Sequence, residues 1–184
     1  MKLIETELKD CYIVEPHLAE DHRGYFERFY SEKDFKELGI DVHFVEGNES
    51  FTIAKHTLRG LHFQVGEMSQ TKLVRCTSGE IYDVVVDLRK DSPTYKKWIK
   101  VKLSRENKKE LLIPRGFAHG FLTLTDNVTF CYEVDNFYSK EHDAGFLWND
   151  PEIGVDWGLE EGIEPILSDK DKNAPLFKDS RADF

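Results

Sequence analysis

The stretch Lys72-Leu73-Val74-Arg75-Cys76-Thr77-Ser78-Gly79-Glu80-Ile81-Tyr82-Asp83-Val84-Val85-Val86-Asp87-Leu88 decides the fold. Two runs rich in β-branched residues flank Ser78-Gly79, a two-residue turn signal. The reading is a hairpin of Lys72–Thr77 and Glu80–Leu88. If Thr77 pairs with Glu80, Val74 falls opposite Asp83 and Lys72 opposite Val85. Lys72, Val74, Ile81, Asp83 and Val85 then share one face, with Lys72 and Asp83 as diagonal neighbours about 7–8 Å apart. Such a pair is either a solvated ion pair on the outside or a polar pair inside a walled site. The stretch alone leaves both open.

Short strand-like runs continue on either side. Cys11–Pro16, Gly24–Tyr30, Val42–Val45 and His56–Val65 precede it; Trp98–Leu103, Glu110–Ile113, Gly120–Leu124 and Thr129–Asp135 follow. Lys33–Leu38, closed by Gly39, reads as a brief helix with a glycine stop. The region from Asp156 is loop-rich, with a helix expected near Asp169–Asn173. Many short strands with turn signals between them predict an all-β protein, best fitted by a jelly-roll or cupin-like barrel with short peripheral helices.

At 184 residues the chain is expected to be a single domain spanning 1–184. A net charge of −10 argues against nucleic acid as a partner, and requires local concentration of Arg and Lys if a ligand is anionic. Cys11, Cys76 and Cys131 are odd in number and widely spaced, so a reducing compartment is the simpler inference. Met1-Lys2-Leu3-Ile4-Glu5 lacks a signal-peptide core. No apolar run approaches the roughly 20 residues of a membrane span. The expectation is a cytoplasmic protein with no membrane partner.

The residues able to do chemistry cluster in Arg59-Gly60-Leu61-His62-Phe63-Gln64, at Lys72, and in Ala118-His119-Gly120-Phe121. A histidine and a lysine in an apolar, walled site suit carbon-acid chemistry: a base removes a proton and a cation holds the enolate. Each also has a plainer reading. His62 alternates with Leu61 and Phe63, so it faces away from both, and a strand histidine is often a structural hydrogen-bonder. Alternation puts Arg59 on the other face from His62 unless Gly60 permits a bulge. His119, after Pro114 and Gly116, reads as a surface turn histidine; Tyr132 as packing with a wet hydroxyl; Asp171 as a surface carboxylate. A metal is not expected, because His62 lacks the His-x-His partner of a cupin metal site.

Taken together, these segments resemble the dTDP-4-dehydrorhamnose 3,5-epimerase family of nucleotide-sugar epimerases. The resemblance covers nearly the whole chain. It runs from Asp21-His22-Arg23-Gly24-Tyr25-Phe26 through Asn48-x-Ser50, Leu58–Gln64, Gln70–Arg75, Asp83–Arg89 and Asp91-Ser92-Pro93-Thr94. It continues through Ile113–Phe121, Tyr132, Trp148-Asn149-Asp150-Pro151 and Ile153–Trp157 to Leu167–Asp171. The Leu-Arg-Gly-Leu-His-Phe-Gln and Gly-Phe-Ala-His-Gly-Phe strings in this order are its most specific parts.

The resemblance implies a cupin-like, metal-free, cofactor-free homodimer acting on a nucleotide-linked 4-keto sugar. It implies that His62 is the base and Asp171 orients it, that Lys72 stabilises the enolate with Asp83 in support, and that Tyr132 is the acid on the other face of the sugar. Arg59, Gln64 and His119 are expected to bind substrate, Arg59 gripping a phosphate. Arg23 and Phe26 are expected to reach a neighbouring subunit's site, with Asn48 beside the nucleotide and Phe137 stacking on its base. The implied reaction inverts C3 and C5 of dTDP-4-dehydro-6-deoxy-D-glucose, towards an L-rhamnose precursor for cell-surface polysaccharide. Two segments depart from the family. Arg28 stands where a glutamate is usual, with Glu27 one residue earlier, and Glu46-Gly47-Asn48 replaces Gln-Asp-Asn. Both touch nucleotide contacts. They leave epimerisation standing and keep another nucleotide, such as a CDP sugar, open. An epimerase of one centre only, which would differ in pocket shape, is a further alternative, as is a 3,4-ketoisomerase on the same barrel, against which Tyr132 and the Arg-Gly-Leu-His-Phe-Gln string speak. A non-enzymatic sugar binder fits poorly with an acid and a base together.

Overall fold

The computed structural model describes residues 1–184. Its strands are β1 (Lys2–Glu5), β2 (Tyr12–Glu15), β3 (His17–Asp21), β4 (Gly24–Arg28), β5 (Glu46–Thr52), β6 (Leu58–Gln64) and β7 (Lys72–Ser78), then β8 (Glu80–Asp87), β9 (Trp98–Ser104), β10 (Glu110–Ile113), β11 (Phe117–Thr123), β12 (Val128–Val134) and β13 (Asp143–Gly145). Two short helices, α1 (Glu32–Glu37) and α2 (Asp169–Lys172), lie outside the sheets. A six-stranded sheet has the order β1-β2-β10-β7-β12-β5 and a five-stranded sheet the order β13-β6-β11-β8-β9, with β3–β4 as a separate hairpin. The two antiparallel sheets face each other as a cupin-like jelly roll.

Three apolar clusters hold this together. Between the sheets, Val74 and Cys76 of β7 meet Ile81 and Val85 of β8, with Phe121 and Phe130 from β11 and β12. On the outer face of the five-stranded sheet, Val84, Val86, Ala118 and Leu122 are covered by Phe146, Ile153, Trp157 and Phe177 from the C-terminal segment. This sheet is thus buried on both faces, which explains why Val84-Val85-Val86 is continuous rather than alternating. Each buried valine contributes on the order of 1.5–3 kcal/mol. The third cluster packs Phe35 of α1 on Leu73, Leu112 and Val14, across the outer face of the six-stranded sheet.

The expected Lys72–Leu88 hairpin does not form. β7 pairs with β10 and β12, whereas β8 pairs with β11 and β9. At Ser78-Gly79 the chain crosses from one sheet to the other. Gly79 has φ +76°, and a Cβ there would meet Thr125 Oγ1 at 2.6 Å. Val74, Ile81 and Val85 nevertheless share one interior, because their strands face each other across the barrel. The sequence pattern reports which face is apolar, and facing sheets satisfy it as well as a hairpin does.

Val42–Val45 is not a strand. Val42 is buried with Phe44 packed nearby, and the Val42 carbonyl accepts from the Tyr30 hydroxyl at 3.2 Å. Packing on the third cluster, rather than a ladder, produces its alternation. β11 begins at Phe117, so His119 lies inside a strand rather than in the turn before it. α1 starts at an Ser31 N-cap and is followed by Gly39 at φ +85°.

Candidate active site

A cavity of about 460 Å³ opens between the sheets. Ser50, Lys72, Phe130 and Tyr132 line it from the six-stranded sheet; Arg59, His62, His119 and Phe121 line it from the five-stranded sheet. Ile166, Leu167, Ser168 and Asp171 close one side, anchored by a parallel bridge from Thr57 to Ile166.

Arg59 and His62 enter the same cavity because β6 is irregular between them. His119 is the partner of His62 and Phe121 the partner of Arg59, so the register shifts across that interval. Gly60 sits there at φ +134°, and a Cβ on it would lie 2.6 Å from Gly120 Cα. Only glycine allows this backbone contact. Leu61 and Phe63 point into the outer cluster, leaving His62 to face inward.

His62 Nε2 donates to Asp171 Oδ1 at 2.6 Å. A carboxylate partner fixes the tautomer, so Nδ1 is the free nitrogen. Asp171 is itself held locally. Ser168 caps α2, its Oγ accepting from Asp171 N at 3.1 Å and donating to Asp171 Oδ2 at 2.8 Å. Burial works against the Asp171 carboxylate, but the hydrogen bonds from His62 and Ser168 outweigh it and hold its pKa below the ordinary value. The Ser168-x-x-Asp171 spacing is a helix-capping signature that sequence reading did not use.

A second His–Asp pair lies deeper. His119 Nε2 donates to the fully buried Asp83 at 2.8 Å, and its ring stacks on Phe130 with centroids 5.8 Å apart. The surface reading of His119 is therefore overturned. Burial raises the Asp83 pKa, opposed by His119 and Lys72. Asp83 Oδ1 has no hydrogen-bond partner. Burial also lowers Lys72 to about 8, with Asp83 and Asp143 pulling the other way. Lys72 and Asp83 are thus an interior pair, not a surface one. Burial raises the Tyr132 pKa, as does Glu46, while Arg59 lowers it.

Several expected binding residues lie elsewhere. Gln64 is buried and does not line the cavity; its Nε2 donates to the carbonyls of Met68 and Phe137, and its Oε1 accepts from Ser139 N. It fastens the segment that carries Phe137. Phe137 itself is 59% exposed. Asn48 is exposed on β5, directly opposite Tyr132. Arg23 and Phe26 project from the β3–β4 hairpin and do not line this cavity; Phe26 is 64% exposed. Arg28 pairs with Asp34 at 3.9 Å. Ser50 lines the cavity, a residue for which no role was expected; its Oγ is buried without a partner. No group of three or more His, Cys, Asp or Glu side chains is arranged to hold a metal. No helix is long and apolar enough to cross a membrane.

Residues 5–179 match the family model described as dTDP-4-dehydrorhamnose 3,5-epimerase. The chain is 48% identical over 181 residues to dTDP-4-dehydrorhamnose 3,5-epimerase of Shigella flexneri, covering 98% of each chain. The crystal structure of the enzyme of that name from Elizabethkingia anophelis superposes with a TM-score of 0.92 at 50% identity, covering 97% of each chain. A Legionella pneumophila dTDP-6-deoxy-D-glucose-3,5-epimerase in complex with dTDP-4-keto-L-rhamnose superposes with a TM-score of 0.88 at 40% identity, covering 95% of this chain and 92% of that one.

Proposed function

The chain belongs to the dTDP-4-dehydrorhamnose 3,5-epimerase family, and from that premise we propose that it inverts C3 and C5 of dTDP-4-dehydro-6-deoxy-D-glucose. It is an isomerase. One observation carries the mechanism: His62 and Tyr132 enter a single cavity from opposite sheets. A flat sugar ring held between the sheets meets a base on one face and an acid on the other. Inversion needs that arrangement, and a racemising single base does not.

The 4-keto group acidifies the protons on C3 and C5. His62 Nδ1 takes one of them, the C–H electron pair becomes the C3=C4 or C4=C5 double bond, and the carbonyl π pair moves onto the C4 oxygen. Lys72 stabilises that oxyanion through charge and hydrogen bonding. The Tyr132 hydroxyl returns a proton to the same carbon from the other face. The cycle leaves His62 protonated and Tyr132 as phenolate. Exchange with solvent restores both before the second centre reacts. Asp171 keeps the His62 ring in place. Arg59 supplies a bidentate donor for a phosphate of the nucleotide. Ser50 offers a further hydroxyl to the sugar.

The active form is a homodimer in this reading. The exposed Arg23 and Phe26 of the β3–β4 hairpin lie off their own cavity and serve the neighbouring subunit's. Asn48 and Phe137 border the nucleotide.

The test is proton NMR of dTDP-4-dehydro-6-deoxy-D-glucose with the enzyme in D2O. Deuterium at both C3 and C5, with dTDP-L-rhamnose formed once a reductase is added, is the expected result. Label at one carbon would make the protein a mono-epimerase. No label with this sugar, but label with its CDP counterpart, would reassign the nucleotide. His62→Ala is expected to incorporate none while still binding dTDP; full incorporation would remove His62 as the base.

A further inference from the structure

The pairing that seats Tyr132 also sets a carboxylate beside it. β12 and β5 pair with Tyr132 opposite Asn48 and Val134 opposite Glu46. Glu46 is therefore the diagonal neighbour of Tyr132 on the same face of the sheet, about 7–8 Å away at Cα and within reach of a long side chain. The carboxylate has a fixed place, since Glu46 Oε2 accepts from Tyr138 N at 3.0 Å. The adjoining segment is fastened in turn by the buried Gln64. This charge is a feature of the chain itself, because Glu46-Gly47-Asn48 stands where the family pattern has Gln-Asp-Asn. Glutamine offers the same acceptor to Tyr138 without the charge.

We propose that Glu46 is a positioning residue for the acid: its anchored carboxylate opposes tyrosinate at Tyr132 and so favours the phenol form to which Tyr132 must return between the two inversions. The proposal rests on Tyr132 being the acid. Every charged group facing Tyr132 bears on the balance. Glu46 opposes the phenolate and Arg59 favours it, while Lys72, His62, His119 and Asp171 line the remainder of the cavity. A unit charge at about 7 Å in a water-like dielectric alters the phenol-to-tyrosinate ratio about threefold.

The experiment reads Tyr132 directly, without substrate. Tyrosinate absorbance near 295 nm is titrated in the wild type and in Tyr132→Phe, and the difference isolates Tyr132. The same difference is taken in the Glu46→Gln background. Glu46→Gln should raise the tyrosinate-to-phenol ratio about threefold at any given pH, and Glu46→Asp should leave it near wild type. High salt should reproduce part of the Glu46→Gln change in the wild type, since the pair is partly solvated. An unchanged ratio in Glu46→Gln, or Glu46→Asp behaving like Glu46→Gln, overturns the proposal. A shifted ratio in a protein that epimerises none of the sugars tested would leave the charge coupling standing and sink the assignment of the reaction instead.

Discussion

Replacing Glu110 with glutamine should stabilise the protein, and by an amount that grows with pH. Glu110 is fully buried on β10, on the outer face of the six-stranded sheet opposite Arg75 and Val14. Both its carboxylate oxygens lack hydrogen-bond partners. Burial pushes its pKa from 4.5 to about 9; Arg75 opposes this, while Glu27 and Glu133 add to it. The folded state therefore holds a proton that the unfolded chain has already released between those values. Stability falls as pH rises through that window, with a slope of about 1.4 kcal/mol per pH unit from this group. At pH 7 the interval above 4.5 corresponds to about 3 kcal/mol. Glutamine is neutral at every pH and nearly isosteric.

The assay is urea unfolding at pH 5, 6, 7 and 8 at one fixed protein concentration, because the stability of the proposed dimer would depend on concentration. With a urea m-value of about 2 kcal/mol/M, the midpoint of Glu110→Gln should exceed wild type by about 1.5 M at pH 7 and converge with it near pH 5. A midpoint difference independent of pH would refute the reasoning, since it would mean that Glu110 is ionised in the folded protein. A less stable glutamine variant at pH 7 would do the same.

Other outcomes follow from the site. Gly60→Ala forces a Cβ to within 2.6 Å of the Gly120 backbone at φ +134°, so a loss of about 3 kcal/mol in urea unfolding is expected. A stable Gly60→Ala protein with normal kcat would mean that β6 can relax without moving Arg59 from His62. Tyr132→Phe should retain deuterium exchange at the substrate carbon while losing inversion by about 10²- to 10⁴-fold; normal inversion would give the acid role to another group. Burial lowers Lys72 to about 8, and in the proposed mechanism its ammonium is the form that holds the enolate. The kcat/KM profile should therefore fall as pH rises through about 8, and Lys72→Arg should lose that limb while lowering the plateau. An unchanged alkaline limb in Lys72→Arg would assign the limb elsewhere.

The sequence carried more of the site than of the connectivity. His62 was legible as inward-facing because Leu61 and Phe63 define the outer face, and Gly60 marked the irregularity that brings Arg59 round. The three-residue β13 at the edge of the buried sheet gave no strand pattern, whereas β8 of that sheet was legible because its valines are apolar on both sides. β5, read Glu46-Gly47-Asn48-Glu49-Ser50-Phe51-Thr52, was not, because its side chains are polar and only its backbone pairing with β12 makes it a strand. Partner choice was hidden for a related reason. Ser78-Gly79 carries the same local chemistry whether the chain folds back within a sheet or crosses to the facing one, and only long-range packing selects between them. The role of Gln64 was equally hidden, since an amide looks the same in sequence whether it meets a ligand or three backbone groups.

The division of labour between the sheets resolves the charge puzzle of an acidic protein with an anionic substrate. The formal net charge is −10, yet the cavity wall carries Arg59 and Lys72 with Asp171 as its carboxylate. The other carboxylate of the site, Asp83, sits behind His119 with no exposure. Its negative charge is therefore turned toward a histidine and a lysine rather than toward the ligand. In a narrow cavity with low-dielectric walls these few cations act at short range, where salt screens them least. The acidic surface acts over distances beyond about 10 Å, where physiological salt suppresses it. Binding an anion thus does not require a basic protein. It requires that cations line the cavity and that its carboxylates be engaged by neighbouring side chains: Asp83 is buried behind His119, and Asp171, on the wall, is held by His62 and Ser168.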